Sequence, residues 1–271
     1  MSKLKKALEK AKEARGAGES PYLALRPQVK KAGKDRQEVK VTYSNTKIVD
    51  IEQRIFKKNK LFSLFEGYEV TDQINVLRTQ VLNKLKEIGG NSILVTSANP
   101  AEGKTFTSIN LGISIAQELN RTVLLVDTDL RNPSIHHYDF ANDFFGVKIS
   151  EGLSDYLLGH VEIPDLLLNP GIEKLTILPG GRPLPNSAEL LGSARMEELI
   201  IEMKNRYRGD RVIIFDTSAL LTCTDPLVFS HLVDGILLVV EVEKTTPGDL
   251  KRVMQLLKDR PIVGTVLNKV K

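Results

Sequence analysis

The rhythm of apolar and polar positions changes near residue 70. From residue 15 to about 48 the chain is polar, basic and punctuated by Gly and Pro. It holds too few large apolar side chains to bury a core of its own. Beyond residue 70, short apolar runs alternate with stretches whose apolar residues recur every three or four positions. The runs Ser92–Thr96, Thr122–Val126, Leu175–Leu178, Arg211–Phe215, Gly235–Val240 and Pro261–Leu267 predict six strands. Helical spacing predicts helices over 70–88, Thr105–Leu119 and Ser187–Tyr207, with further helical segments near 225–232 and 247–258. Continuously apolar strands alternating with amphipathic helices imply an α/β fold, with a mostly parallel central sheet and helices on both faces. Two helix starts carry capping signals: Asn186 three residues before Glu189, and Thr246-Pro247-Gly248-Asp249.

The region before residue 70 divides further. Residues 2–14 place Leu4, Ala7, Leu8, Ala11 and Ala14 at helical spacing, which predicts a short basic amphipathic helix. Residues 48–68 carry Ile51, Ile55, Phe56, Leu61, Phe62, Leu64 and Phe65, and are expected to pack onto the body. The expected organisation is a basic, largely disordered arm over 1–47 and a folded domain over 48–271.

Charge sharpens that division. The 271 residues carry a net charge of +4, but Met1–Lys60 alone carries +10 and Leu61–Lys271 carries −6. The basic character belongs to the arm. Its only aromatic residues before Phe56 are Tyr22 and Tyr43, so it lacks the interleaved rings of single-strand binders, and no specific nucleic-acid partner is expected. A basic amphipathic helix can instead touch an anionic membrane surface. No apolar run approaches the roughly 20 residues of a membrane span, and no apolar stretch follows the basic N-terminus as in a secretory signal. The single cysteine, Cys223, has no internal partner and is expected in the core. A cytoplasmic protein, peripheral to the inner membrane face where the arm makes contact, is the expectation.

The chemistry concentrates in residues 92–112, SILVTSANPAEGKTFTSINLG. A strand, a loop, Gly103-Lys104-Thr105 and a helix follow in the order that a phosphate-binding loop requires. Loop N–H groups and the helix dipole favour phosphate. Lys104 supplies a point charge to the β- and γ-phosphates, and the Thr105 hydroxyl is placed to ligate Mg²⁺. The strict pattern wants Gly at position 98, where this chain has Ala98. Asp127 and Asp129 follow one buried strand and Asp216 follows another. Ligands of open parallel sheets bind at the carboxyl ends of strands, so three carboxylates and a phosphate loop are expected to meet at one edge. His136, His137, His160 and His231 lack ligand spacing with Cys or acids.

Several ordered segments resemble the bacterial tyrosine kinases, P-loop autokinases that accompany exopolysaccharide chain-length regulators. They are Ala101–Thr105, Val126–Pro133, Gly152–Leu157, Leu178–Gly181, Pro185–Leu191, Ile213–Thr217 and Val233–Gly235. The basic extension resembles that of the variant in exosortase-linked polysaccharide loci. The resemblance implies a P-loop NTPase fold and an ATP- and Mg²⁺-dependent protein-tyrosine kinase that regulates exopolysaccharide synthesis or chain length. It implies nucleotide contacts from Ala101, Glu102, Gly103, Lys104, Thr105, Phe106, Arg131 and Asn268. It gives Lys104, Asp127, Asp129 and Asp216 catalytic roles, with Asp127 taking the tyrosine proton and Thr105, Asp129 and Asp216 holding Mg²⁺. It also implies a membrane-embedded chain-length or co-polymerase partner, and a homo-oligomer.

Three departures accompany the resemblance. The family's C-terminal tyrosine cluster has no counterpart before Lys271, which leaves Tyr22 and Tyr43 as accessible acceptors. The ring-forming motif E-x-x-R-x-x-R falls on Asp72, Asn75 and Arg78, where only the last position matches. The usual Asp-Thr-Pro-Pro reads Asp216-Thr217-Ser218-Ala219, so that loop is expected to differ in shape. The alternative function is a nucleotide-gated ATPase of the partition or cell-division type without kinase activity.

Overall fold

Eight strands form one sheet in the computed structural model, which describes residues 46–270 apart from 50, 52, 66, 132–143, 148 and 207–209. The basic arm with its helix over 2–14, Tyr22, Tyr43 and the His136-His137 pair lie outside the described residues. The strands are β1 (Lys47–Ile48), β2 (Ser92–Ser97), β3 (Thr122–Asp127), β4 (Leu168–Asn169), β5 (Leu175–Leu178), β6 (Arg211–Ala219), β7 (Gly235–Glu241) and β8 (Ile262–Asn268). Their order is β1-β4-β5-β3-β6-β2-β7-β8, and every pairing is parallel except β4 with β5. All six expected strands are present. The two-residue β1 and β4 carry too little periodicity to be read in advance.

The sheet is apolar because both of its faces are covered. Ile93, Val95, Val123, Leu125, Val212, Ile214, Leu237 and Val239 enter one core. The intervening Leu94, Leu124, Val126, Ile213, Phe215, Ile236, Leu238 and Val240 enter the other. Successive side chains on a strand point to opposite faces, so two-sided burial leaves no polar position in mid-strand. Each fully buried side chain of this size contributes roughly 1.5–3 kcal/mol against its ordering entropy.

The first core lies under α2 (Glu69–Ile88) and α3 (Lys104–Ala116), joined by α1 (Gln53–Lys58) and a short 3₁₀ turn, Phe62–Leu64. As expected, the segment after residue 48 packs onto the body, with Ile51, Phe56 and Leu61 buried. Ser63 fastens it to α3: its Oγ donates to the Asn110 carbonyl at 2.9 Å, and its N–H donates to Asn110 Oδ1 at 3.2 Å. Arg78 also turns inward, donating from Nη1 to the Ser114 carbonyl at 2.9 Å. The Ser114 hydroxyl donates in turn to Asn75 Oδ1 at 2.8 Å.

The second core lies under α6 (Ser187–Leu191), α7 (Ala194–Arg206), α8 (Asp225–Phe229) and α9 (Pro247–Leu256). Two short helices, α4 (Leu153–Leu157) and α5 (Ile163–Leu166), precede β4. The single helix expected over Ser187–Tyr207 is two helices. A Cβ at Gly192 would lie 2.8 Å from Val228 Cγ1, so the chain breaks where α8 approaches. Ser193 then caps the second helix, its Oγ accepting from the Met196 N–H at 3.3 Å. Asn186 makes no side-chain cap, contrary to expectation. The Thr246–Asp249 capping box is present in both directions. Cys223 is half-buried in the loop after β6 rather than in the core, because that loop runs along the rim of the sheet.

At the edge opposite the expected site, Asp234 holds the start of β2. Its Oδ2 accepts from the Asn91 N–H at 2.9 Å, the Ser92 N–H at 3.0 Å and Ser92 Oγ at 2.7 Å, while Lys204 pairs with Oδ1. Burial pushes this carboxyl up, but the bonds from Lys204, Asn91 and Ser92 outweigh it and hold it below the usual range. Replacing Asp234 by Ala strips several donors of their acceptor at once. Urea denaturation is expected to show a loss of about 2–3 kcal/mol.

Candidate functional site

The loop between β2 and α3 is held in a conformation that only part of its sequence tolerates freely. Gly103 has φ +98°, and any Cβ there would overlap the Asn268 amide. Ala101 has φ +62°, a left-handed conformation that costs a non-glycine residue roughly 1–3 kcal/mol. Its carbonyl accepts from Lys269 Nζ at 2.7 Å, which ties the strained residue to the end of β8. Glu102 is fully buried beneath the loop. Its carboxylate accepts from the Asn99 N–H at 3.0 Å and from Thr245 Oγ1 at 2.6 Å. It therefore braces the loop with its side chain, leaving only its backbone to face a ligand. Asn268 donates from Nδ2 to the Glu102 carbonyl at 2.9 Å, so its amide also supports the loop.

Ala98 explains its own departure from the phosphate-loop pattern. It is fully buried in the second core, and its φ is not positive. No left-handed residue is needed there, so the methyl group is accommodated.

Asp216 meets Lys104, Thr105 and Asp129, and Asp127 lies beside it. Asp127 and Asp216 are register partners on β3 and β6, so their side chains share a sheet face, the one that α3 covers. Asp216 lies inside β6, which runs four residues beyond the expected Phe215 to Ala219. Its carboxylate is buried, accepts from Ser108 Oγ at 2.8 Å and is hydrogen-bonded by Thr105. Burial raises its pKa to about 6, against the opposing pull of the Thr105 bond and the Lys104 charge, while the Asp129 charge adds to the rise. Asp127 Oδ1 accepts from the Asp129 N–H at 3.0 Å.

Other expected residues sit nearby in different ways. Lys104 is buried at the start of α3. The Phe106 ring packs edge-on against Phe62, with centroids 6.1 Å apart, and so anchors the preceding segment. Arg131 is exposed at the rim.

Several neighbours were not read from the sequence. Ser108 follows Lys104 by one helical turn and faces Asp216. Ser218 lies two positions after Asp216, where the pairing of β6 with β2 shifts register, and donates to Asp129 Oδ1 at 2.6 Å. Thr128 donates from Oγ1 to the Asp216 carbonyl at 2.6 Å. Gly180 touches Asp127, because a Cβ there would lie 2.8 Å from Oδ2. Gly180 is itself held: its carbonyl accepts from the Ser154 N–H at 2.9 Å, while Leu153 N–H bonds the Pro179 carbonyl at 2.8 Å. Buried Asp155 closes this loop pair by accepting from Arg182 Nε at 2.6 Å. The pairing depends on a fold that brings residues 152–155 against 179–182, which no local pattern reveals.

The donor set fits a nucleotide with a hydrated divalent cation. Among the described residues no three His, Cys, Asp or Glu side chains form a metal cage. Mg²⁺ suits such a place, since it keeps several waters and takes one or two carboxylates plus phosphate oxygens. A hydroxyl at Thr105 and carboxylates at Asp129 and Asp216 are the groups available to it.

Comparison with known proteins decides the family. Tyrosine-protein kinase YwqD of Bacillus subtilis is 30% identical over 201 residues, covering 73% of this chain and 80% of that protein. The chain belongs to the bacterial tyrosine kinases. Tyrosine-protein kinase CpsD of Streptococcus agalactiae is 28% identical over 210 residues, with 76% and 85% covered. Tyrosine-protein kinase etk of Escherichia coli is 31% identical over 201 residues, but the chain spans only 26% of that longer protein. No family model matches. The solved kinase domain of Escherichia coli ETK is 28% identical with TM-score 0.68, covering 78% of this chain and 82% of that one. The chimerical protein CapA2B2 is 25% identical with TM-score 0.69, with 83% and 93% covered. The septum site-determining protein MinD of Pyrococcus horikoshii, solved with Mg-ADP, shares the fold at 24% identity and TM-score 0.53, with 65% and 69% covered. The protein is thus a P-loop tyrosine kinase of the α/β class, and nucleotide binding with Mg²⁺ goes with that fold. Among the described residues no helix is long and apolar enough to cross a membrane.

Two outcomes follow from this kinase site. Gly180→Ala drives a methyl group into the Asp127 carboxylate. It is expected to lower kcat by about tenfold or more while leaving nucleotide affinity unchanged, as fluorescence titration and steady-state kinetics would show. Asp216, with its raised pKa, stabilises the fold when protonated and loses that contribution as pH rises through about 6. Asp216→Asn is therefore expected to melt higher than the wild type at pH 8. The gain should shrink through pH 6 and vanish below about pH 4, where the carboxyl is protonated in both states.

Proposed function

We propose that this site transfers the γ-phosphoryl group of ATP to a tyrosine hydroxyl, in the regulation of exopolysaccharide synthesis or chain length. The observation that supports it most directly is the convergence of Lys104, Thr105 and Asp129 around the buried carboxylate of Asp216 in β6. In this reading the N–H groups of residues 101–106 and the Lys104 ammonium bind the phosphates. When bound, Mg²⁺ neutralises charge on the β- and γ-oxygens. Thr105, Asp129 and Asp216 are the residues that would hold it. Asp127 accepts the phenolic proton, which a free tyrosine with pKa near 10 does not release at neutral pH. Asn268 and Arg131 border the nucleotide.

The acceptor and the partner belong to the same proposal. Tyr22 and Tyr43 in the basic arm are the acceptor candidates. A membrane-embedded chain-length or co-polymerase protein, whose cytosolic tail completes the site, is the partner. The arm makes peripheral contact with the membrane, and the kinase works at its cytoplasmic face.

The test is phosphotyrosine formed by the purified chain with ATP and Mg²⁺, with and without the partner's tail. Lys104→Met is expected to reduce it by about 100-fold or more. Asp127→Ala is expected to reduce it comparably while retaining nucleotide binding. Steady ATP hydrolysis without phosphotyrosine in any condition would replace this reading with that of a nucleotide-gated ATPase.

A further inference from the structure

The last residues of β6 carry a hydroxyl where the family pattern has proline. Ser218 is 7% exposed, and its Oγ donates to Asp129 Oδ1 at 2.6 Å. Its backbone cannot drift. The Ser218 carbonyl accepts from Thr96 Oγ1 at 2.8 Å. Just beyond it, the Leu220 N–H bonds the Ser97 carbonyl at 2.9 Å and the Leu221 N–H bonds the Ala98 carbonyl at 3.1 Å. Thr96, Ser97 and Ala98 are the residues that lead β2 into the phosphate loop. Ser218 and the residues just after it are therefore fastened at their backbone to the end of β2, which leads into the phosphate loop, and Ser218 at its side chain to the carboxylate that follows β3.

Asp129 is half-exposed and sits in a loop rather than in a strand. Its N–H is held by Asp127 Oδ1. That bond fixes the backbone but leaves the side-chain torsion open. The Ser218 bond closes it by occupying Oδ1, which orients the remaining oxygen. A proline at 218 has no hydroxyl and could not do this.

We propose that Ser218 is a positioning residue that sets the Asp129 carboxylate for a divalent cation and couples it to the phosphate loop. The inference rests on the reading of this site as a Mg²⁺-nucleotide centre. Ser218 itself need touch neither metal nor nucleotide.

The test uses the full chain and a fluorescent ADP analogue, titrated with Mg²⁺. Ser218→Ala is expected to keep the wild-type melting temperature and the metal-free affinity for the analogue, while raising the Mg²⁺ midpoint about fivefold, the effect of one lost hydrogen bond. Ser218→Thr keeps a hydroxyl and is expected to restore the midpoint. In an Asp129→Ala background the Ser218→Ala change is expected to have no further effect, because Ser218 acts through that carboxylate. An unchanged midpoint in Ser218→Ala, or an equal shift with Asp129 absent, overturns the inference and leaves the kinase reading standing. Wild-type binding that is indifferent to Mg²⁺ overturns both.

Discussion

The contact between the Asp216 carboxylate and the first turns of α3 is the join on which the site depends. A carboxylate buried at the end of a strand is costly unless charge and hydrogen bonds compensate it. Here Thr105, Ser108 and Lys104 all come from one helix and all face Asp216. The helix start is thereby fixed against β6, and the loop that feeds the helix is fixed with it. The compensation is incomplete, since burial still leaves the carboxyl raised to about 6.

The remaining parts of the site are held by elements remote in sequence, and each is held from a different side. Asn268 and Lys269, at the end of β8, support the phosphate loop from the edge of the sheet. Thr245, just before α9, fixes Glu102 beneath it. On the other side of β6, the Gly180 loop, backed by the Gly152 loop, presses against Asp127. This is the preorganisation that phosphoryl transfer demands, because there the protein supplies mainly position and charge. Among the described residues, the parallel strands end at one edge and the loops after β2, β5, β7 and β8 are bonded to their neighbours.

How much of this was legible depended on how local the signal was. The six long strands could be read because two-sided burial writes an unbroken apolar run into each. Asp127, Asp129 and Asp216 stood out only together: one carboxylate near the end of such a run can as well cap a helix, whereas three fall on the sheet edge that carries Lys104. The helix break at Gly192 could not be read, since its cause is α8, thirty-odd residues further on. Gly180 and Asp155 were seen only as parts of a resemblance, since their role needs two loops to meet. The side chain of Glu102 could not be placed from the sequence: it turns down to brace Asn99 and Thr245, which leaves the backbone of this loop residue toward a ligand.

The three departures from the family pattern that fall on described residues have a common physical form. Ala98 stands where glycine is usual, yet its backbone is not left-handed and its methyl group fills core space. Ser218 stands where proline is usual, and its hydroxyl takes a bond that proline could not make. Asn75 departs from the ring-forming motif of the family, and its Oδ1 accepts from Ser114 of α3, while the matching Arg78 donates to the Ser114 carbonyl and pairs with Glu118. In each case a group that the pattern would turn outward, or leave absent, is engaged within the chain. For Asn75 and Arg78 the consequence is specific. A neighbouring copy that sought this helix face would have to displace bonds that already hold α2 to α3. Any oligomer of this chain therefore starts from a surface whose polar groups are partly committed, with exposed Asp72 as the motif position least encumbered.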